Sequence, residues 1–119
     1  EDGLDEISIA SPTKVAELEE GVVTEHTLEP EQFGLSRSSL SDITVSSVDE
    51  SLGMLRSVLA NEASAARDIV ALNAGAAIYV CGLHATLKDG VQAAHETLAS
   101  GAAREQFDKL VAVSTRFAS

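Results

Sequence analysis

The chain has 119 residues, 45% of them apolar and 23% charged, with three Phe, one Tyr and no Trp. That is the composition of one globular domain whose core rests on Ala, Val, Leu and Ile. Nineteen Asp and Glu stand against eight Lys and Arg, for a formal charge of -11. The excess argues against binding nucleic acid, where affinity comes from Lys and Arg displacing counterions, and against an anionic membrane surface. The single cysteine, Cys81, excludes an internal disulfide and a Cys-rich zinc module.

Charge is concentrated at the start: residues 1 to 31 hold ten acids and one Lys, the remaining 88 nine acids and seven Lys or Arg. The first residue is Glu1 rather than Met, inside an acidic, loop-like stretch, so the chain is expected to be a piece of something longer. Ile7-Ser8-Ile9 alternates and stops at Ser11-Pro12, which predicts a short strand. Lys14 to Leu18 and Val22 to Leu28 flank Glu19-Glu20-Gly21, where Gly can take the positive φ of a tight hairpin. In the second strand Val22, Thr24, His26 and Leu28 share one face. Residues 30 to 47 are rich in Ser and turn formers, with Gly34 and Leu35 expected in a packed connection.

Helices follow. Asp49 to Leu59 carries Leu52, Leu55 and Leu59 at helical spacing, with Ser47 or Asp49 as cap. Ala66 to Leu83 is apolar on nearly every side, which predicts a helix buried in a larger body, and the small run Ala74-Gly75-Ala76-Ala77 would admit a neighbouring backbone. The apolar run Ile69 to Leu83 includes Asn73 and two glycines and is too short to cross a bilayer. With no basic, apolar-cored leader ahead of it, a cytoplasmic location is expected. Thr86 and Asp89 form a capping box, short in its acid, opening a helix through Leu98. Ser100-Gly101 breaks it, and a last helix runs through Ala103, Phe107, Leu110, Val111 and Phe117.

Few residues carry recognisable chemistry. His26, His84 and His95 show no metal-ligand spacing and read as ordinary surface or half-buried histidines. Cys81, within the apolar helix, reads as a small core residue, since a reactive thiolate needs an accessible, electropositive site. No Gly-x-Ser-x-Gly elbow is present. Asn73 sits in the buried helix, where an unpaired amide costs about 1–3 kcal/mol. It is expected to bond a neighbouring loop rather than a ligand. Asp5 and Glu6 are adjacent acids on a Gly-containing loop, with Gly3 freeing the turn and Leu4 and Ile7 placed to anchor it. Mg2+ wants hard oxygen donors and often takes only one or two from protein. On chemistry alone such a pair is as a rule solvated charge.

The order of segments adds to this. Asp2-Gly3-Leu4-Asp5-Glu6-Ile7-Ser8, then Ser11-Pro12-Thr13-Lys14-Val15-Ala16-Glu17-Leu18, then Leu28-Glu29-Pro30-Glu31-Gln32-Phe33-Gly34-Leu35 resembles the C-terminal third of the anthranilate phosphoribosyltransferases. Ala66-Arg67-Asp68-Ile69-Val70-Ala71-Leu72-Asn73-Ala74-Gly75-Ala76-Ala77-Ile78-Tyr79-Val80 resembles their long buried helix, and Gly82-Leu83 and Ser100-Gly101-Ala102-Ala103 fall in the same order. The resemblance covers essentially the whole chain. It implies an α/β parent, a small helical domain plus a large α/β domain. This chain would end the large one: loop and strands over 1–35, a connection over 36–47, helices over 48–118. It also implies the reaction in which the amine of anthranilate attacks C1′ of phosphoribosyl pyrophosphate and pyrophosphate leaves. The family's acidic pair, which helps hold Mg2+ on the pyrophosphate, falls on Asp5 and Glu6.

The family's GTGGD phosphate loop, its Asn-x-Ser-Thr segment and its Lys-x-x-Asn-Arg stretch are missing from these residues. The isolated chain is therefore expected to be inactive, and the parent to be a homodimer formed through regions mostly outside it. Two other readings stand beside this one. A pyrimidine nucleoside phosphorylase would share the fold but use phosphate without the metal pair. A non-catalytic acidic interaction module would fold stably alone, whereas a portion of a larger body would expose an apolar patch.

Overall fold

The computed structural model describes residues 2–117. Glu1, counted above with the acidic opening, and Ala118, the expected end of the helical part, lie outside the described residues. An irregular loop leads into an antiparallel hairpin of β1 (Thr13–Glu19) and β2 (Val22–Leu28). Single 3-10 turns at Pro30–Phe33 and Leu40–Ile43 punctuate the connection. Four helices follow: α1 (Val48–Leu59), α2 (Ala65–Val80), α3 (Leu87–Ala99) and α4 (Ala102–Ser114). The expected order of hairpin and then helices is what forms.

The hairpin pairs Thr13 with Leu28 and Glu19 with Val22, leaving a two-residue turn at Glu20-Gly21. Both turn residues have positive φ, 48° and 82°, the backbone of a type I′ turn, whose twist matches that of the strands it joins. The expected strand at Ile7–Ile9 does not form. The Ile7 backbone instead bonds the side chain of Asn73 at 2.9 Å through both its N–H and its C=O, and Ser8 N–H bonds Thr13 Oγ1. Ile9 and Ser8 are both buried, and side chains take the hydrogen bonds a strand neighbour would have supplied.

The connection over 36–47 is tied at both ends. Ser38 N–H donates to Ile9 C=O, Arg37 closes on Glu31 through bonds of 3.0 and 3.2 Å, and Ser39 caps the turn that carries Ile43 onto the core. Ser47, not Asp49, caps α1, and Ser64 and Thr86 cap α2 and α3 by accepting the N–H three residues on. Thr86 also donates to Asp89 Oδ2 at 2.7 Å, so the shorter acid answers the hydroxyl rather than the cap backbone.

Helix α2 packs chiefly on α3. A methyl group on Gly75 would lie 2.5 Å from the Val91 Cα, and one on Gly90 2.4 Å from the Gly75 carbonyl oxygen. The small run thus does admit a neighbouring backbone, that of α3. One cluster joins Val58, Ala66, Ala71, Ala94 and Leu98 across α1, α2 and α3. A second joins Ile9, Leu35, Leu72 and Val91, so the same α2–α3 pair carries the loop and connection.

One expectation about α2 is corrected. It ends at Val80, not Leu83, because Gly82 turns left-handed (φ 73°) and the N–H groups of Gly82 and Leu83 bond back to Tyr79 and Ile78. On the side away from α3 the helix lies open in this chain, with Val70 43% and Val80 81% exposed. Cys81, expected in the core, is exposed at this helix end, past the last turn that α3 covers. Helix α4 likewise stops at Ser114, short of Phe117, with only Ala103 and Phe107 half-buried among its apolar residues named above. No helix among the described residues is long and apolar enough to cross a membrane.

Candidate functional site

Asp5 and Glu6 stand exposed on the loop ahead of the hairpin, and the residues around them are fastened. On one side Asp2 makes the turn: its Oδ1 accepts the Leu4 N–H at 3.1 Å and its Oδ2 accepts the Ser8 hydroxyl. Ser8 is 2% exposed, and its oxygen also accepts the N–H groups of Ala10 and Ser11 at 3.0 and 3.3 Å. These bonds hold the Asp2 carboxyl down at about 2, the Ser8 hydroxyl contributing most and the Leu4 amide next. On the other side Asn73 reaches from α2 to Ile7.

Between these anchors the two acids meet. The Asp5 carboxyl raises the pKa of Glu6 above the ordinary carboxylate value, first through a hydrogen bond between the side chains and then through charge. The result is a pair of hard oxygen donors, solvent-facing and mutually repelling when both are ionised. Among the described residues no three His, Cys, Asp or Glu side chains converge on one point, so two carboxylates are what the protein itself presents here.

The sequence shows the two acids side by side on this loop, and of the two expected apolar anchors Ile7 packs against the core. The Asp2–Ser8–Thr13 network was not legible, though Asp2-Gly3 is a turn signature that could have suggested the Asp2–Leu4 bond. Asn73 bonds a loop as expected, and that loop is the acidic one.

A cleft of about 700 Å3 opens between the hairpin and the end of α2, lined by Val15, Glu17, His26, Tyr79, Leu83 and His84 among others. Tyr79 Oη donates to Glu17 Oε1 at 2.6 Å, tying β1 to α2, and that bond raises the Tyr79 pKa above its usual value. His26 and His84, apart in sequence, line the same cleft without forming a ligand set. His95 lies on α3, half-buried.

Residues 1–104 match the family described as glycosyl transferase family, a/b domain. The chain belongs to that family. Among the curated members it resembles is the anthranilate phosphoribosyltransferase of Methylococcus capsulatus, 52% identical over 118 residues, which are 99% of this chain and 35% of that one. The enzyme of the same name from Nitrosomonas eutropha is 51% identical over 97% of this chain and 34% of its own length. The crystal structure of anthranilate phosphoribosyltransferase from Thermus thermophilus superposes with a TM-score of 0.84 at 34% identity, over 94% of this chain and 33% of that one. A variant of the Saccharomyces cerevisiae enzyme with Mg bound superposes with a TM-score of 0.77 at 26% identity, over 89% of this chain and 31% of that one. The chain therefore spans about a third of the length of these relatives, and the hairpin-then-helices order belongs to the a/b domain of the glycosyl transferase family.

Proposed function

We propose that this chain is the C-terminal portion of an anthranilate phosphoribosyltransferase, transferring phosphoribose from phosphoribosyl pyrophosphate to the amine of anthranilate with release of pyrophosphate. The observation that carries the reading is the Asp5–Glu6 pair, held out on a loop pinned at Asp2, Ser8 and Ile7. The relatives named above bear the transferase's name, not that of a phosphorylase.

The donor set suits Mg2+: two hard carboxylates with no nitrogen or sulfur ligand set beside them among the described residues, leaving most of an octahedral shell to water and substrate phosphate. Bound there, the ion would neutralise the charge that develops on the departing pyrophosphate. The contribution of this chain's residues is electrostatic and positional. Asp5 and Glu6 supply the negative charge that fixes the ion, and the anchored backbone presents both carboxylates at once. The family's GTGGD phosphate loop is not among these residues, so the 119 residues alone are expected to be inactive. The working enzyme would be a cytoplasmic homodimer, paired mainly through regions outside this chain.

The test is a chimera in which these residues replace the matched third of the Methylococcus enzyme, assayed by loss of anthranilate fluorescence with phosphoribosyl pyrophosphate and Mg2+. The chimera should turn over, and the 119-residue chain should not. Asp5→Asn with Glu6→Gln in the chimera should lower kcat/KM by about 100-fold or more, the scale of several kcal/mol of metal-borne charge stabilisation. A chimera indifferent to that double substitution would remove the metal role from the pair.

A further inference from the structure

We propose that Asn73 is the positioning residue of the Asp5–Glu6 pair, fixing from helix α2 the backbone on which the two carboxylates stand. This rests on the reading of those acids as Mg2+ ligands. Asn73 Oδ1 accepts the Ile7 N–H at 2.9 Å, while Nδ2 donates to the Ile7 carbonyl at 2.9 Å and to the Ile69 carbonyl at 3.0 Å. Both amide hydrogens are used and the oxygen is engaged, so the side chain has no free rotation left.

The consequence for the loop follows from peptide geometry. The Ile7 N–H belongs to the peptide plane that begins at the Glu6 carbonyl, and the Ile7 C=O belongs to the next. Holding both fixes two successive planes. Glu6 is thereby held at its C-terminal side, and Asp5 is held through it and through the Asp2–Leu4 turn ahead. Ile7 itself packs against the cluster of Ile9, Leu35, Leu72 and Val91, so the anchor is continuous with the core. Mg2+ demands near-ideal octahedral geometry, and metal ligands lose affinity when the groups orienting them are removed. Two exposed carboxylates on a free loop would have to be ordered by the ion itself. On this loop Asn73 has done the ordering beforehand.

The experiment uses the chimera described above, 15N-labelled in these 119 residues, with pyrophosphate present and Mn2+ as the paramagnetic probe for the Mg2+ site. In the unsubstituted chimera Mn2+ should broaden the amide signals of residues 4 to 7 first. Asn73→Leu keeps the side chain's size but leaves the Ile7 N–H and C=O unpaired. It is expected to weaken Mn2+ binding about tenfold or more and to speed exchange of the Ile7 amide, with the α2 and α3 signals in place. Should Asn73→Leu lose the helix signals, Asn73→Ser, whose hydroxyl can keep one Ile7 bond, is expected to retain them with a several-fold loss of Mn2+ affinity. A merely structural Asn73 would leave Mn2+ affinity unchanged wherever the variant is folded, and that result overturns the inference while leaving the metal reading standing. No local broadening in the unsubstituted chimera with pyrophosphate present would overturn both.

Discussion

At the residue scale the loop depends on one buried hydroxyl. Ser8 Oγ, on a residue only 2% exposed, donates to Asp2 and accepts from the amides of the half-buried Ala10 and Ser11, so Ser8→Ala strands two N–H groups. An unmet buried donor costs about 1–3 kcal/mol, and a loss of that size is expected in urea unfolding. The same substitution reports on pH. Asp2 in the folded chain titrates at about 2, below its usual 3.8, so its contribution to stability is present above the higher value and is lost as pH falls through the lower. Between about pH 4 and pH 2 the native chain should lose this increment and Ser8→Ala should lose less of it. The Asp2 carboxyl carbon, followed by NMR, should show its midpoint move up towards the ordinary value in the variant. A midpoint unmoved by the substitution would mean that Ser8 is not what holds Asp2 down.

At the scale of elements, the crossing of α2 and α3 is decided by two glycines. A methyl group at Gly75 or Gly90 would fall within 2.5 Å of the facing backbone, so either change to Ala should force the helices apart. The expected cost is about 1–3 kcal/mol of overpacking, against less than about 1 kcal/mol returned by Ala's helix propensity. Gly53, inside α1, has open space around its missing Cβ, so Gly53→Ala should instead stabilise by about 0.5–1 kcal/mol. Chemical denaturation of the three single variants checks both signs; if Gly75→Ala and Gly53→Ala shift stability alike, the close approach is not what selects glycine. The elements differ in how much of them the sequence shows. The hairpin and the helix starts are written locally, in Glu20-Gly21 and in Ser47, Ser64 and Thr86, each acting within a few residues. The end of α2 was misread because its apolar pattern runs on to Leu83 while Gly82 turns the backbone. The alternation of Ile7-Ser8-Ile9 is misleading in both respects, since Ser8 is buried beside Ile9 and side chains, not a strand neighbour, take the backbone hydrogen bonds. For the candidate site, the acids themselves are legible, but the partner of Asn73 lies at the other end of the chain. No local pattern encodes that distance.

The whole molecule is more open than its length requires. Its radius of gyration is 15.6 Å, against about 13.5 Å for a compact domain of this size, and its extents are 46 × 31 × 28 Å. The excess goes with exposed apolar side chains: Leu18, Val22 and Val23 at the hairpin tip, Val80 and Leu83 at and beyond the end of α2, and Leu110 and Phe117 in and beyond α4. An independent interaction module would be expected to cover more of this surface. Charge works against association, since -11 is carried on a small body and mostly by the first 31 residues, which include the hairpin strand β1. The two effects respond differently to salt. Repulsion between chains is screened as the Debye length falls from about 10 Å at 0.1 M to about 3 Å at 1 M, whereas apolar contact is not weakened. The chain should therefore be monomeric at low ionic strength and gain weight-average mass in sedimentation as NaCl rises towards 1 M, binding a dye such as ANS throughout. Val22→Lys with Val23→Glu, on exposed hairpin positions, should reduce both the dye signal and the salt-driven association without changing the unfolding free energy by more than about 0.5 kcal/mol. Association that instead weakens with salt would show that ion pairs, not the apolar tip and helix ends, govern how this chain meets its neighbours.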